Sequence, residues 1–277
     1  MRSQRPINEG LFETAKLVGP LFPIGLCRHL AFNLIELLVT MVIISIFAAL
    51  ILPCLSAAKV RTRQITCLSN MKEFIVAFQL YAVDHEDAVL PNQDGQRIPL
   101  GQTWVEGWLG LPGPDRTNTL LLQRSLVGPY IKASKVWCCP ASSMAVTAPP
   151  VRTVSLNCFM GSLTNTVTVT TFHKLAQILR PSPAEALVFI DERIETINDG
   201  SFAMQWDFDE KQPEKWVLRD KPTAIHSGGC MLTYADGHAG LHRWRDGRKL
   251  TAPWNDVLMP ANLDVLWLQQ HSTWRTP

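Results

Sequence analysis

The sequence predicts an α+β protein in which a long N-terminal membrane-spanning helix continues into a helix packed on a mostly antiparallel β-sheet domain. Three observations predict it. No Asp, Glu, Lys or Arg occurs between Leu37 and Ala58. Beyond that run, Leu68, Met71, Ile75 and Phe78 recur at the three- and four-residue spacing of one helical face. From about Leu90 the texture changes, with Pro, Gly and Trp frequent and the apolar runs shortened to strand length.

The charge-free run fits a bilayer better than a protein core. A helix over it would span about 33 Å, against a hydrocarbon thickness of about 30 Å. Thr40, Ser45 and Ser56 are its only polar breaks, whereas a core helix of such length would carry a charged face. A cleavable secretory signal has a shorter apolar region, of about 7–15 residues. Lys and Arg flank the run on both sides (Arg28; Lys59, Arg61, Arg63), so charge bias leaves orientation open. Pro53 removes one backbone donor inside the helix and predicts a bend or loosening there. The stripe that follows predicts an amphipathic extension over residues 59–89, closed by Tyr81 and Asp84 ahead of a turn at Pro91-Asn92. A β-rich domain is expected over 90–277. Because no heptad persists, a sheet is expected to cover the stripe in preference to a coiled-coil partner.

Within the domain, Ala186-Leu187-Val188-Phe189-Ile190 is a compact apolar run ended by Asp191-Glu192. Cys230–Ala235 and His238–Trp244 read as the strands of a hairpin joined by Asp236-Gly237, whose composition suits a tight type I′ turn.

Bulk properties exclude some functions. Hydrophobic residues make up 47% of the 277, which argues against wholesale disorder, and a net charge of +2 without a basic stripe points away from nucleic acid. His226, His238 and His242 with Asp236 can be drawn as a metal or catalytic cluster. On one strand, however, His238 and His242 would stand about 13 Å apart, and no nucleophile elbow accompanies them. Local hydrogen bonds in a turn are the expected role of the Asp and His, and no enzymatic activity is expected.

The run Phe32-Asn33-Leu34-Ile35-Glu36-Leu37-Leu38-Val39-Thr40 resembles the prepilin signature of type IV pilin-like proteins and type II secretion pseudopilins, with Ala31 where that family usually has Gly and Asn33 where Thr is common. Further resemblance lies in Arg63–Lys72, Trp104-Val105-Glu106-Gly107-Trp108, Trp137-Cys138-Cys139-Pro140, Ile190-Asp191-Glu192 and Ile197-Asn198-Asp199-Gly200. His226, nine intervening residues and Asp236-Gly237 match the C-terminal signature of one pilin-like subfamily. The similarity runs from Phe32 to about Thr273.

This resemblance implies a leader over 1–31 and a prepilin motif with its transmembrane helix over 32–58. Prepilin peptidase would cut between Ala31 and Phe32, and Phe32 would then be N-methylated. Glu36 would meet the N-terminal amine of a neighbouring pilin-like subunit, neutralising two charges that are costly in lipid; the alternative is a carboxylate snorkelling to the headgroups. The implied partners are prepilin peptidase, other pilin-like subunits, the membrane and an inner-membrane assembly platform. The implied location is the bacterial inner membrane, single-pass, with the domain in the periplasm or outside the cell. The function implied is assembly into a secretion pseudopilus or pilus-like filament. The rival is a membrane-tethered exported binding protein or enzyme.

Seven cysteines suit an oxidising compartment, and an odd count leaves one unpaired. Cys27 and Cys54 fall in the leader and the membrane helix. Leu26 before Cys27 is atypical of a lipoprotein site. A disulfide from Cys67 to Cys138 or Cys139 would pin the helix to the domain. Zinc is less favoured there, because adjacent Cys138-Cys139 lacks the usual gap between ligands. Calcium is the ion expected if any binds, with Asp191, Glu192, Asn198 and Asp199 as hard oxygen ligands, joined by Asp207 and Asp209. Their spacing is not that of an EF-hand, and solvated acidic loops are the alternative.

Overall fold

The computed structural model describes residues 33–92, 101–110, 113–142, 149–163, 168–246 and 256–275. The chain divides into two compact units, Met1–Pro53 and Cys54–Pro277. Helix α1, Leu34–Asp84, carries Pro53 inside it and contributes to both. Ala31, Phe32 and Cys27 lie outside the described residues.

In the first unit the helix is apolar and its side chains are exposed, from Leu34 and Ile44 to Leu50. It is long and apolar enough to cross a membrane. Its hydroxyls are satisfied by the helix itself, with Thr40 Oγ1 donating to Leu37 O at 2.8 Å and Ser45 Oγ to Val42 O at 2.7 Å. Such back-bonding lets a polar side chain sit in hydrocarbon without an orphaned donor.

In the second unit α1 buries one face, formed by Cys67, Met71, Phe74, Ile75, Phe78 and Tyr81, while Ile65, Val76, Leu80 and Val83 stay exposed. The expected stripe is thus the packed face, with Phe74 added. Helical backbone ends at Asp84, short of residue 89. Glu86 and Asp87 adopt positive φ (56° and 70°), and Asp87 N–H turns back to Ala82 O at 2.9 Å. That geometry closes the last turn by capping its carbonyls.

Strands β1 (Val154–Asn157), β2 (Leu187–Asp191), β3 (Ser201–Phe202), β5 (Gly229–Tyr234) and β6 (Ala239–Arg243) form a sheet of order β3-β1-β2-β5-β6. Only β1 and β3 pair in parallel; the other pairs are antiparallel. A two-stranded ribbon joins β4 (Val217–Leu218) to β7 (Val257–Leu258). Among the described residues the unit also has the short α-helices α2 (Leu120–Arg124) and α3 (Leu263–Ser272), the latter capped by Asn262 Oδ1, which accepts from Asp264 N and Val265 N.

The sheet is covered on both faces. On one, Met71, Phe74 and Phe78 of α1 meet Trp104, Trp137, Leu156, Val188, Phe189 and Met231. On the other, Leu187, Ile190, Cys230 and Leu232 meet Phe202, Trp216, Val265 and Leu268. Strand β5 alternates between the clusters as a period-2 strand must. In β2 the consecutive Val188 and Phe189 share one cluster, because the register against β5 shifts between Leu187 and Ile190; an irregularity of this kind re-aims side chains.

The expected hairpin is present as β5–β6, with a different turn. Gly237 alone of the loop residues has positive φ (97°), Gly237 N–H donates to Tyr234 O, and Tyr234 N–H donates to His238 O, both at 3.0 Å. Ala235-Asp236-Gly237 is therefore a three-residue loop ending in a left-handed glycine, not a type I′ turn, which needs two positive φ angles.

Candidate functional site

Four side chains from distant parts of the chain converge beneath the sheet. Cys67 sits on the packed face of α1, Cys139 follows the 3-10 turn Ser134–Trp137, Asp191 ends β2, and His226 lies in the turn before β5. The two sulfurs, an Asp191 oxygen and a ring nitrogen of His226 all lie within 4.8 Å of one another. His226 Nε2 is 3.3 Å from Cys139 Sγ and 3.4 Å from Asp191 Oδ2. All four residues are buried, none more than 4% exposed.

Backbone contacts hold this arrangement. Cys139 N–H donates to Thr153 Oγ1 at 2.9 Å, and Thr153 O accepts from Glu192 N at 2.7 Å, fixing the cysteine loop beside β2. Thr223 N–H donates to Asp191 O at 2.9 Å and His226 N–H to Gly229 O at 3.2 Å, fixing the histidine turn. Gln64, one turn before Cys67, donates to Ser227 Oγ at 2.9 Å and ties α1 to the same turn.

The electrostatics are those of a compressed charge cluster. Burial pushes the Asp191 carboxyl up to about 7, with the charge on Cys139 acting in the same direction. Burial opposes charge on His226, but Asp191 and Cys139 outweigh it and raise the imidazole to about 9. A hydrogen bond from Cys67 is the main cause that draws Cys139 down, and the same bond pushes Cys67 up. Both Asp191 oxygens are fully buried, and the groups that favour their charge are the His226 ring, 3.4 Å from Oδ2, and the Thr153 side chain. A single Nε2 proton cannot serve a thiolate and a carboxylate at once. Such an arrangement can hold a cation, form a disulfide, or persist as a thiolate–imidazolium pair.

The expected disulfide partners are therefore brought together in part: Cys67 meets Cys139, Cys138 does not join them, and none of the three is in a disulfide. The proposed calcium set is not assembled. Asp191 points into the cysteine cluster, whereas its strand neighbour Glu192 accepts from Ser155 Oγ at 2.6 Å near Arg152, as alternation along a strand requires. Asn198 Oδ1 and Asp199 Oδ1 accept from the backbone N–H groups of Asp199 and Ser201 respectively, and Asp209 pairs with Arg275 at 2.6 Å.

The histidines and Asp236 also part company. Asp236 Oδ1 lies 2.6 Å from His238 Nδ1 at an exposed turn, the expected local role. His226 lies beyond the opposite end of β5, and His242 stacks on Trp267 at 3.7 Å between ring centroids. Sequence reasoning grouped His226 with its neighbours along the chain and missed Asp191 and the cysteines as its partners; the pairing of Cys67 with the Cys138-Cys139 segment was the one signal that pointed there.

In the first unit Glu36 sits in the first turn of α1. Its Oε2 accepts from Asn33 N at 3.0 Å, while Asn33 Oδ1 accepts from Ile35 N at 3.3 Å. This reciprocal cap is a role for Glu36 that the sequence reading omitted. No protein-family model, curated protein or solved structure matches the chain.

Proposed function

We propose that this chain is a non-enzymatic, membrane-anchored subunit of a pilin-like filament, cut between Ala31 and Phe32 and assembled through Glu36. The observation that carries the reading is α1: a single helix of 51 residues, apolar and exposed over its first part, with one carboxylate in its first turn and one face packed on a sheet near its end. In this account the apolar part holds the subunit in the membrane before assembly and packs against other subunits afterwards. The domain beyond Asp84 faces outward. The prepilin-like signature is shared by secretion pseudopilins and type IV pilins, so the filament is of that general class.

Glu36 is assigned two jobs, capping α1 and neutralising a neighbour's N-terminal amine, and two substitutions separate them. Glu36→Gln keeps a residue that can complete the cap but loses the charge; Glu36→Val loses both. Leaving one partner of a buried ion pair uncompensated costs about 3–5 kcal/mol, which corresponds to more than about a 100-fold loss of incorporation. Both variants are expected to remain in the membrane fraction and to be absent from sheared filaments. Filaments at wild-type abundance with Glu36→Gln would show that only the cap matters and would refute the assembly role.

A further inference from the structure

We propose that Cys67, Cys139, Asp191 and His226 form a structural binding site for one divalent zinc-class metal ion, which fastens α1 to the sheet. The site lies within the second unit and stands independently of the filament reading.

Geometry is the first argument. A tetrahedral ion with bonds of about 2.3 Å to sulfur and 2.0–2.1 Å to nitrogen or oxygen sets its ligand atoms about 3.3–3.8 Å apart. Two of the separations, His226 Nε2 to Cys139 Sγ and to Asp191 Oδ2, are 3.3 and 3.4 Å and fall in that range, and the whole set lies within 4.8 Å, so at most about 1 Å of side-chain closure completes the shell. The missing two-residue gap between cysteines is no obstacle, because each ligand comes from a different element.

Chemistry is the second. Two thiolates, an imidazole and a carboxylate form the borderline-soft set that suits zinc and is unsuited to calcium. Four protein ligands leave no open position, as in structural sites. The adjoining cavity, bordered by Cys67, Met71, Cys139 and Asp191, is only about 10 Å³, so it admits no organic ligand. Backbone N–H groups of Ala141 and Ser142 favour the thiolates of Cys67 and Cys139 respectively. Binding releases the remaining thiol proton and the Nε2 proton to solvent, and the ion gives the buried Asp191 carboxylate a full countercharge.

The test uses the full chain purified in detergent. Elemental analysis is expected to find about one zinc per chain, and X-ray absorption at the zinc edge to show two sulfur neighbours at about 2.3 Å and two nitrogen or oxygen neighbours at about 2.0–2.1 Å. Chelation is expected to lower the melting temperature by roughly 10 °C, restored by added zinc. Cys139→Ser and Asp191→Asn are expected to bind more than about 100-fold more weakly, since even disturbing an outer partner costs about 10–100-fold; Cys138→Ser is expected to bind normally. Should the variants fail to fold, the absorption spectrum of the wild type still decides. A chain that neither carries nor takes up zinc, zinc without sulfur neighbours, or a Cys67–Cys139 disulfide in a non-reduced peptide map would overturn the proposal.

Discussion

Phe74→Ala is expected to destabilise the second unit by about 4 kcal/mol, within the usual range of about 3–5 for a buried Phe. Phe74 is fully buried and is the common neighbour of three aromatic rings. Its ring centroid lies 6.2 Å from Trp104, 5.1 Å from Trp137 and 5.3 Å from Phe189. Trp104 and Trp137 are themselves stacked at 6.0 Å, so their planes cannot close over the vacancy without breaking that stack. Truncation thus loses both the transferred area and edge-to-face contacts worth about 0.5–1.5 kcal/mol each. At roughly 2–4 °C per kcal/mol for a unit of this size, the melting temperature should fall by about 10 °C. Val76→Ala, half-exposed on the opposite side of the helix, should change stability by under about 0.5 kcal/mol. Denaturant unfolding followed by tryptophan fluorescence compares the two. Equal effects would mean that α1 is not docked through this face.

Gly161→Ala is expected to cost more than about 3 kcal/mol. Gly161 has φ of 61°, which alone costs a non-glycine residue about 1–2 kcal/mol. A Cβ there would also run into the backbone carbonyl of Leu90. That carbonyl cannot swing aside, because Asn92 N–H donates to Gly161 O at 2.8 Å and Gly161 N–H to Phe172 O at 2.7 Å, clamping both segments. Gly101 has φ of 78° but open space around its missing Cβ, so Gly101→Ala isolates the conformational part, about 1 kcal/mol. The same unfolding experiment reads both. A Gly161→Ala effect no larger than that of Gly101→Ala would show that the close approach does not exist.

Periodicity made the main elements legible in the sequence. The spacing of Met71, Ile75 and Phe78 identified the packed face of α1, and the runs at 186–190 and 230–235 identified β2 and β5. Strand β1 was not legible, because Val-Ser-Leu-Asn is buried on both faces with polar residues held by internal bonds: Asn157 Nδ2 donates to Leu187 O at 2.8 Å and to Ser272 O at 3.0 Å. The two-residue strands β3, β4 and β7 are too short to carry a period.

The candidate site was half legible. Cysteine content suggested that Cys67 meets the 138–139 segment, a pairing that needs only two positions. Asp191 and His226 could not be assigned to it, since their meeting depends on β2 lying beside β5 and on the turn at Ser227-Gly228, where both residues adopt positive φ. Acidic residues close in sequence suggested calcium, but alternation along β2 sends Asp191 and Glu192 to opposite sides.

Mass spectrometry of the N-terminus decides whether this chain is a processed filament subunit. The protein would be extracted from membranes with and without co-expressed prepilin peptidase. A mature terminus at Phe32, N-methylated and dependent on the peptidase, is expected. A chain that keeps residues 1–31 in both conditions would contradict it and leave α1 as a simple tether.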